Sequence, residues 1–404
     1  MKNILTTKKI NILILLCILI RILITIFYYN YNDSLSVNLQ WASLINQNGL
    51  FNIYNKELWH AGIDVDYPPL FLIWLKLISP LLSFAVNNSY DSLVQVLLKL
   101  FGLIFDLSII TFLYKKFSPN IALLWAINLA AFVNASMWGQ VDCVFSFILI
   151  LMFYYIKEDK PELVSILFAI NCLLKPQGIY LFPVLLLYLV ITNHKIQRKI
   201  CSLLYGILTG IITFLPFMIT NKNILLPFEL YLNSSGKYHQ FNCGASNFWV
   251  MLCRIEYPKG LMDYFNYGLL FICIISLILI YKKTKDINIA SAFYLFNIFM
   301  ITLAQHRRYS FYAMTLCLVV YILNQHKQYL YYYIGLMIST GVACWGDLMY
   351  LNYMKKCNYG IEILSQEGLK IIDDIYFYTL LVSIFFNILI FFNSISFVRK
   401  YEKT

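Results

Sequence analysis

The stretch INILILLCILIRILITIFYY, residues 10–29, decides the fold: it is apolar almost throughout, carries one charge, Arg21, and contains neither Gly nor Pro. About 20 such residues cross the hydrocarbon core of a bilayer as a helix. Lys2, Lys8 and Lys9 precede it, and it is too long for a signal-peptide core and lacks a small-residue cleavage site, so it reads as a first anchored span. Working outward, further apolar runs lie near 68–86, 95–114, 120–136, 141–156, 162–174, 177–192, 200–219, 262–281, 287–304, 310–324, 329–346 and 375–395. Composition agrees: of 404 residues 60% are apolar and 13% charged, against about 45–50% and about 25% in a soluble domain. An ordinary cytosolic protein is excluded. The apolar content supplies about twelve spans. The expected fold is therefore all-α and polytopic, with about 12 transmembrane helices and with interfacial or re-entrant helices in the first outer loop.

A net charge of +11 raises the question of nucleic acid, but Lys and Arg come in short clusters between apolar runs and form no single basic face. The charge reports membrane orientation instead. If all thirteen runs crossed, the N-terminus and the C-terminal Arg399, Lys400 and Lys403 would face opposite sides, which the positive-inside rule disfavours. Residues 68–86 are the run expected not to cross, because Pro68-Pro69 opens it, Lys76 sits at its centre and Pro80 follows. Lys115-Lys116, 157–162, 194–199, 282–285, His326-Lys327 and the C-terminus then become cytosolic, while three larger segments, 30–94, 220–261 and 347–374, lie outside. The outer segments are longer yet hold fewer cations. No segment suits a soluble nucleotide-binding domain and no Gly-rich phosphate loop appears, so any chemistry belongs to the outer face. Ten cysteines show no zinc spacing, and most fall inside apolar runs; Cys243 and Cys253 share a polar loop that would allow a disulfide in an oxidising compartment.

Polar residues gather on that outer face. Asn32-Asp33 follows the first span, and Asp64-Val65-Asp66-Tyr67-Pro68-Pro69-Leu70 ends the first loop at a rigid helix start. Asp66 also reads as a helix cap and Asp33 as a solvated loop acid. Asn134-Ala135-Ser136-Met137-Trp138-Gly139-Gln140-Val141-Asp142 puts an acid at a helix start beside an aromatic and an amide, and Lys175-Pro176-Gln177-Gly178 breaks what would otherwise be one long apolar run. The alternatives are a capped turn with an interfacial Trp and a tight turn with a snorkelling Lys. The loop from Lys237 to Trp249, with His239 and Asn247, is rich in aromatics and amides, as saccharide-binding surfaces often are. His306-Arg307-Arg308-Tyr309 places two guanidinium groups where the inside rule disfavours cations; such arginines hold an anion, phosphate being the obvious one, or contact headgroups. Arg21, Lys99 and Asp106 read as interhelical partners rather than catalysts.

In this order the motifs resemble the GT-C superfamily of membrane glycosyltransferases. They are an acid after the first span, Asp66-Tyr67-Pro68-Pro69-Leu70, Trp138-Gly139-Gln140-Val141-Asp142, Lys175-Pro176-Gln177, Asn247-Phe248-Trp249 and His306 to Tyr309. The nearest likeness is to bacterial mannosyltransferases related to the GPI second mannosyltransferase, over roughly residues 10–320. The resemblance implies a polyprenyl-phosphate-linked sugar donor, a site on the outer face and a catalytic acid in the first loop, Asp33. It also implies one membrane glycosyltransferase unit over 1–404, with a catalytic module in 10–261 and C-terminal helices in 262–404.

The chemistry agrees. Phosphate is a good leaving group, so such an enzyme needs a carboxylate to take the acceptor hydroxyl's proton and cations to hold the departing phosphate. Asp33 is assigned as general base, with Asp142 as a second catalytic acid and Asp66 orienting the acceptor. Lys175, His306, Arg307 and Arg308 are assigned to the donor phosphate, and Tyr67, Trp138, Gln140, Gln177, His239 and Asn247 to substrate contacts. Single displacement inverts the anomeric centre. No cofactor is required; a divalent metal between Asp33 and Asp142 stays open, although neither a paired-acid motif nor a His cluster argues for one there. The partners are the lipid-linked donor, a glycan, lipid or protein acceptor and the bilayer, with no nucleic acid. The membrane is a bacterial inner membrane with a periplasmic site, or the endoplasmic reticulum in a eukaryote. The rival readings are a transporter or flippase of lipid-linked saccharides and a non-catalytic assembly subunit.

Overall fold

A computed structural model describes residues 6–31, 37–59, 64–235, 239–253, 255–258, 260–358 and 365–401. Among them every regular element is helical, with isolated backbone bridges around 240–256 and His306. The helices are α1 (Thr7–Phe27), α2 (Leu39–Asn48), α3 (Pro69–Asn87), α4 (Asp91–Lys116), α5 (Pro119–Ala126), α6 (Leu129–Trp138), α7 (Asp142–Lys157) and α8 (Pro161–Leu174). They continue with α9 (Phe182–Ile191), α10 (Ile196–Thr220), α11 (Leu226–Ser235), α12 (Leu261–Thr284), α13 (Ile287–Ile301), α14 (Ser310–Asn324), α15 (Lys327–Asn358) and α16 (Gln366–Lys400).

Seven of these, α1, α3, α4, α10, α12, α15 and α16, are long and apolar enough to cross a membrane, or eight if the α5–α6 pair, bent by 50°, counts as one span. The chain is an integral membrane protein in type, but the expected dozen full-length spans is not what the long helices supply. The difference lies in α7, α8, α13 and α14, which have 14–16 residues each. At 1.5 Å per residue these reach only about 20–25 Å. Their ends are spent on turns that carry the polar motifs. The segment 347–374, expected as a large outer loop, is mostly helix: α15 runs on to Asn358 and α16 begins at Gln366.

Residues 68–86, expected not to cross, form one unbroken helix that is long and apolar enough to cross a membrane. Lys76 and Pro80 do not interrupt the helix. Lys76 is exposed, and its carbonyl, which Pro80 cannot satisfy for want of an N–H, accepts Ser79 Oγ at 2.9 Å. Phe71 and Trp74 pack on Phe101 of α4 at 6.1 and 4.8 Å, two residues beyond Lys99, which bonds the Tyr28 carbonyl. The chain then turns over 88–90 into the first turns of α4, where Gln95 donates to the Asn30 carbonyl at 3.0 Å. This helix therefore stands beside the outer part of α4.

Within the bundle Arg21 Nε meets Asp106 Oδ2 at 2.7 Å, as expected of interhelical partners. Lys99 of α4 likewise makes an interhelical contact, donating to the Tyr28 carbonyl at the end of α1.

Candidate functional site

The site grows from the α6–α7 turn. Gly139, at φ 79°, ends α6 in the left-handed region that glycine tolerates, and the chain reverses so that Asp142 becomes the first residue of α7. A carboxylate is favoured there by the N–H groups of the helix start. Both its oxygens are engaged: Oδ1 accepts from Lys175 Nζ at 2.5 Å and from Tyr312 Oη at 2.9 Å, and Oδ2 from Asn134 Nδ2 at 2.8 Å. Asp142 and Lys175 are both buried. Lys175 reaches Asp142 because α8 ends at Leu174 and Gly178 folds the chain back on Asn171, where an added Cβ would stand 2.5 Å from backbone. With both oxygens hydrogen-bonded and the pair buried, Asp142 is held as the counter-ion of Lys175.

The two adjacent arginines part company. Arg307 is buried and turns toward α15 and α16: Nη1 donates to the Ala343 carbonyl at 3.1 Å, Nη2 lies 3.3 Å from Asp347 Oδ1, and the guanidinium covers the Tyr376 ring at 4.4 Å. Gly244, at φ 90°, makes room for it, since a Cβ there would meet Nη2 at 2.4 Å. Arg308 stacks over Trp138 at 5.4 Å and lines a cavity of about 330 Å³ with Asp66, Tyr67, Gln177 and Tyr309. Gln177 Nε2 donates to Tyr309 Oη at 2.7 Å. His306 packs edge-on against Tyr309 and its backbone bridges Cys243 and Gly244. Enclosure of its ring, then the fields of Arg308, Arg307 and Lys175, hold it well below the usual imidazole range, so it meets the site as a neutral ring.

A second cavity, of about 550 Å³, lies between residues 52–59 and 64–66 on one side and the α10–α11 corner on the other. Asp66 and Ser234 line both cavities. Asp66 is not the N-cap of α3, a position Pro68 holds. Ser234 Oγ donates to the Asp66 carbonyl at 3.1 Å, tying α11 to the loop, and Tyr54 Oη donates to the Tyr67 carbonyl at 2.8 Å.

The remaining residues scatter. Asn247 is buried and holds its own loop together, accepting from Asn242 Nδ2 at 2.6 Å and donating to the Phe299 carbonyl at 2.9 Å. His239 lies 3.9 Å from Asp263 and lines neither cavity. Gln140 is buried with its carbonyl against Gly102, where a Cβ would stand 2.7 Å away. Asp33 lies outside the described residues. Cys243 and Cys253 are both free thiols. Among the described residues no group of three His, Cys, Asp or Glu side chains could hold a metal. Sequence reasoning missed Tyr312, Asp347 and Ser234. Tyr312 stands three residues after Tyr309 at a helix start, and that spacing was the available signal.

No protein-family model matches this chain, and a search of curated proteins finds no significant relative. Fold and composition define it as an all-helical integral membrane protein with a polar, partly charged site at one end of its bundle.

Proposed function

We propose that this protein is a membrane glycosyltransferase that moves a hexose from a polyprenyl-phosphate donor to an acceptor hydroxyl on the non-cytosolic face, periplasmic or lumenal. The observation that carries the reading is the position of Asp66 in a wall common to two cavities, one bearing Arg308 and the other lined by amides. Two substrates meeting at one carboxylate is the layout a transfer reaction needs. The cavity with Arg308 takes the donor phosphate. Its other walls include Ile179, Tyr267 and Leu270 from the membrane helices and their turns, a surface suited to the first isoprene units.

The acceptor oxygen bonds to the anomeric carbon as the bond from that carbon to the phosphate oxygen breaks. Polyprenyl phosphate leaves with the electron pair, held by Arg308, and the hydroxyl proton passes to a first-loop carboxylate. Asp33 is the proposed base, Asp66 orients the acceptor, and Asp142 holds Lys175 in a buried ion pair next to the Pro176-Gln177 wall of the donor cavity. Displacement from the opposite face inverts the sugar. In this reading about twelve segments cross the bilayer, the short ones in a locally thinned or polar surround.

Charges inside the bundle favour this over a carrier, since Arg21 with Asp106 and Lys175 with Asp142 are closed pairs at 2.7 and 2.5 Å. The test is turnover of labelled polyprenyl-phosphate hexoses by the purified protein. Asp33→Asn should lower kcat by about 10²–10⁴, and Asp66→Asn should raise the acceptor KM. Transfer from a nucleotide sugar without lipid intermediates would sink the reading, whereas normal Asp33→Asn activity with an inactive Asp66→Asn would move the base to Asp66.

A further inference from the structure

We infer that the larger cavity is a saccharide site, so that the acceptor is a sugar hydroxyl on a short oligosaccharide rather than a lipid or protein hydroxyl. This rests on the transferase reading and specifies its second substrate.

The cavity of about 550 Å³ falls within the usual range for small-molecule sites, about 300–1,000 Å³, and has room for a short oligosaccharide. Its walls carry five asparagines, Asn52, Asn55, Asn221, Asn223 and Asn233. Three of them use one end of the amide to fold the protein. Asn52 Nδ2 donates to the Asn48 carbonyl at 2.8 Å, Asn55 Oδ1 accepts from Glu57 N at 3.1 Å, and Asn221 Nδ2 donates to the Phe51 carbonyl at 2.8 Å. The other ends, Asn52 Oδ1, Asn55 Nδ2 and Asn221 Oδ1, make no hydrogen bond among the described residues. The cavity thus offers fixed amide acceptors and donors side by side. A sugar hydroxyl, which donates and accepts at one atom, matches that surface; a hydrocarbon chain does not.

Two further features narrow the class. Trp59 lines the cavity, partly exposed, with its ring held by Nε1 donating to the Ile53 carbonyl at 2.8 Å. A fixed indole gives the apolar face of a pyranose a flat partner. The charged residues in the walls are Lys56 and Lys222 against Glu57, Asp64, Asp66 and Glu229. That acidic balance disfavours a phosphorylated headgroup or a nucleic acid, and contrasts with the neighbouring cavity and its Arg308. Asp66 at the junction holds one acceptor hydroxyl against the donor's anomeric carbon, and the bond changes are those given above.

The test incubates the full-length protein, in a detergent without a sugar headgroup, with labelled polyprenyl-phosphate mannose, glucose or galactose and membranes from cells lacking the gene. Linkage analysis of the labelled product should find a sugar-to-sugar glycosidic bond. Asn221→Ala should raise the acceptor KM by about tenfold, the loss of roughly one hydrogen bond, with the donor KM unchanged. Because Asn221 also holds Phe51, a second variant, Asn233→Trp, fills the cavity from an exposed position that makes no hydrogen bond and should give the same split. Label found directly on a lipid hydroxyl or a protein side chain overturns the inference and leaves the transferase reading standing. So does a rise in donor KM alone in both variants. No transfer from any of the three donors overturns the transferase reading, and this inference with it.

Discussion

At the scale of single residues, Arg307 and Arg308 show what a pattern can and cannot tell. Two cations beside an aromatic on the disfavoured side of a membrane are visible in the sequence as an anion site, but adjacent residues in a 3₁₀ turn point about 120° apart. Only one of them faces the cavity, and the partner of the other, Asp347, lies forty positions away on a different helix. Arg308→Gln should therefore raise the donor KM by an order of magnitude or more, roughly one charge-assisted hydrogen bond, with little change in thermal stability. Arg307→Gln should do the reverse, lowering the melting temperature in detergent because it removes the guanidinium contacts to Asp347 and the Ala343 carbonyl. A matched rise in donor KM for both variants would show that the two residues act on the phosphate together. His306 adds a pH dependence. Its folded-state value is depressed below the ordinary imidazole value of 6.5, so the unfolded chain takes the proton first. Stability from this residue is present above about pH 6.5 and is lost as pH falls toward the depressed value. Melting curves at pH 7.5 and 5.5 should show a loss that His306→Gln reduces; an unchanged slope would place the acid sensitivity elsewhere.

Among the elements, the broken α5–α6 span explains why Arg21 sits in the first apolar run. A helix that stops inside a bilayer leaves carbonyls without partners, each costing several kcal/mol in hydrocarbon. Arg21 Nη1 donates to the Ala126 carbonyl at 2.6 Å and Nη2 reaches the Trp125 and Asn128 carbonyls at 3.4 Å. Asp106 balances the charge and accepts Trp125 Nε1 at 2.7 Å. Arg21→Met should sharply reduce the yield of monodisperse protein, and Arg21→Lys should recover only part of it because an ammonium cannot span three carbonyls. If Arg21→Met purifies and melts like the wild type, the break is satisfied some other way. The Arg21–Asp106 pairing was legible, since isolated opposite charges in apolar runs seek each other. The break itself was not, because residues 120–136 read as one continuous apolar stretch and Asn128, whose side chain accepts from Ala131 N at 2.9 Å, is an unremarkable residue there. Lys76 and Pro80 marked 68–86 as a run that would not cross, but the sequence did not show that Ser79 replaces the bond Pro80 cannot make and keeps the helix unbroken.

For the whole molecule, contacts between helix ends sort the chain into two sides. Lys116 at the end of α4 lies over Tyr154 of α7, Arg198 of α10 bonds Glu162 of α8 at 2.7 Å, Lys283 of α12 donates to the Arg399 carbonyl of α16 at 2.8 Å, and Asn288 of α13 meets Asn324 of α14 at 2.8 Å. These ends are rich in Lys and Arg. The opposite ends carry Asn30 against Trp138, Asp142 against Lys175, and Arg307 against Asp347. On the proposed reading, the positive-inside rule would make the first set cytosolic and the cavities external. In a background freed of the ten native cysteines, probes at 116, 195 and 283 should react with a membrane-impermeant thiol reagent only after the bilayer is opened. Probes at 64 and 223, on the rim of the larger cavity, should react in sealed cells. The informative position is 88, in the turn between α3 and α4. By length and composition α3 could cross, which would carry residue 88 to the side of 116. On the proposed reading α3 stays on the outer side, so a cysteine at 88 should label from outside together with 64. Labelling of 88 only after permeabilisation, with 64 still external, would make α3 a true span and force another segment out of the membrane to keep both termini on the basic side.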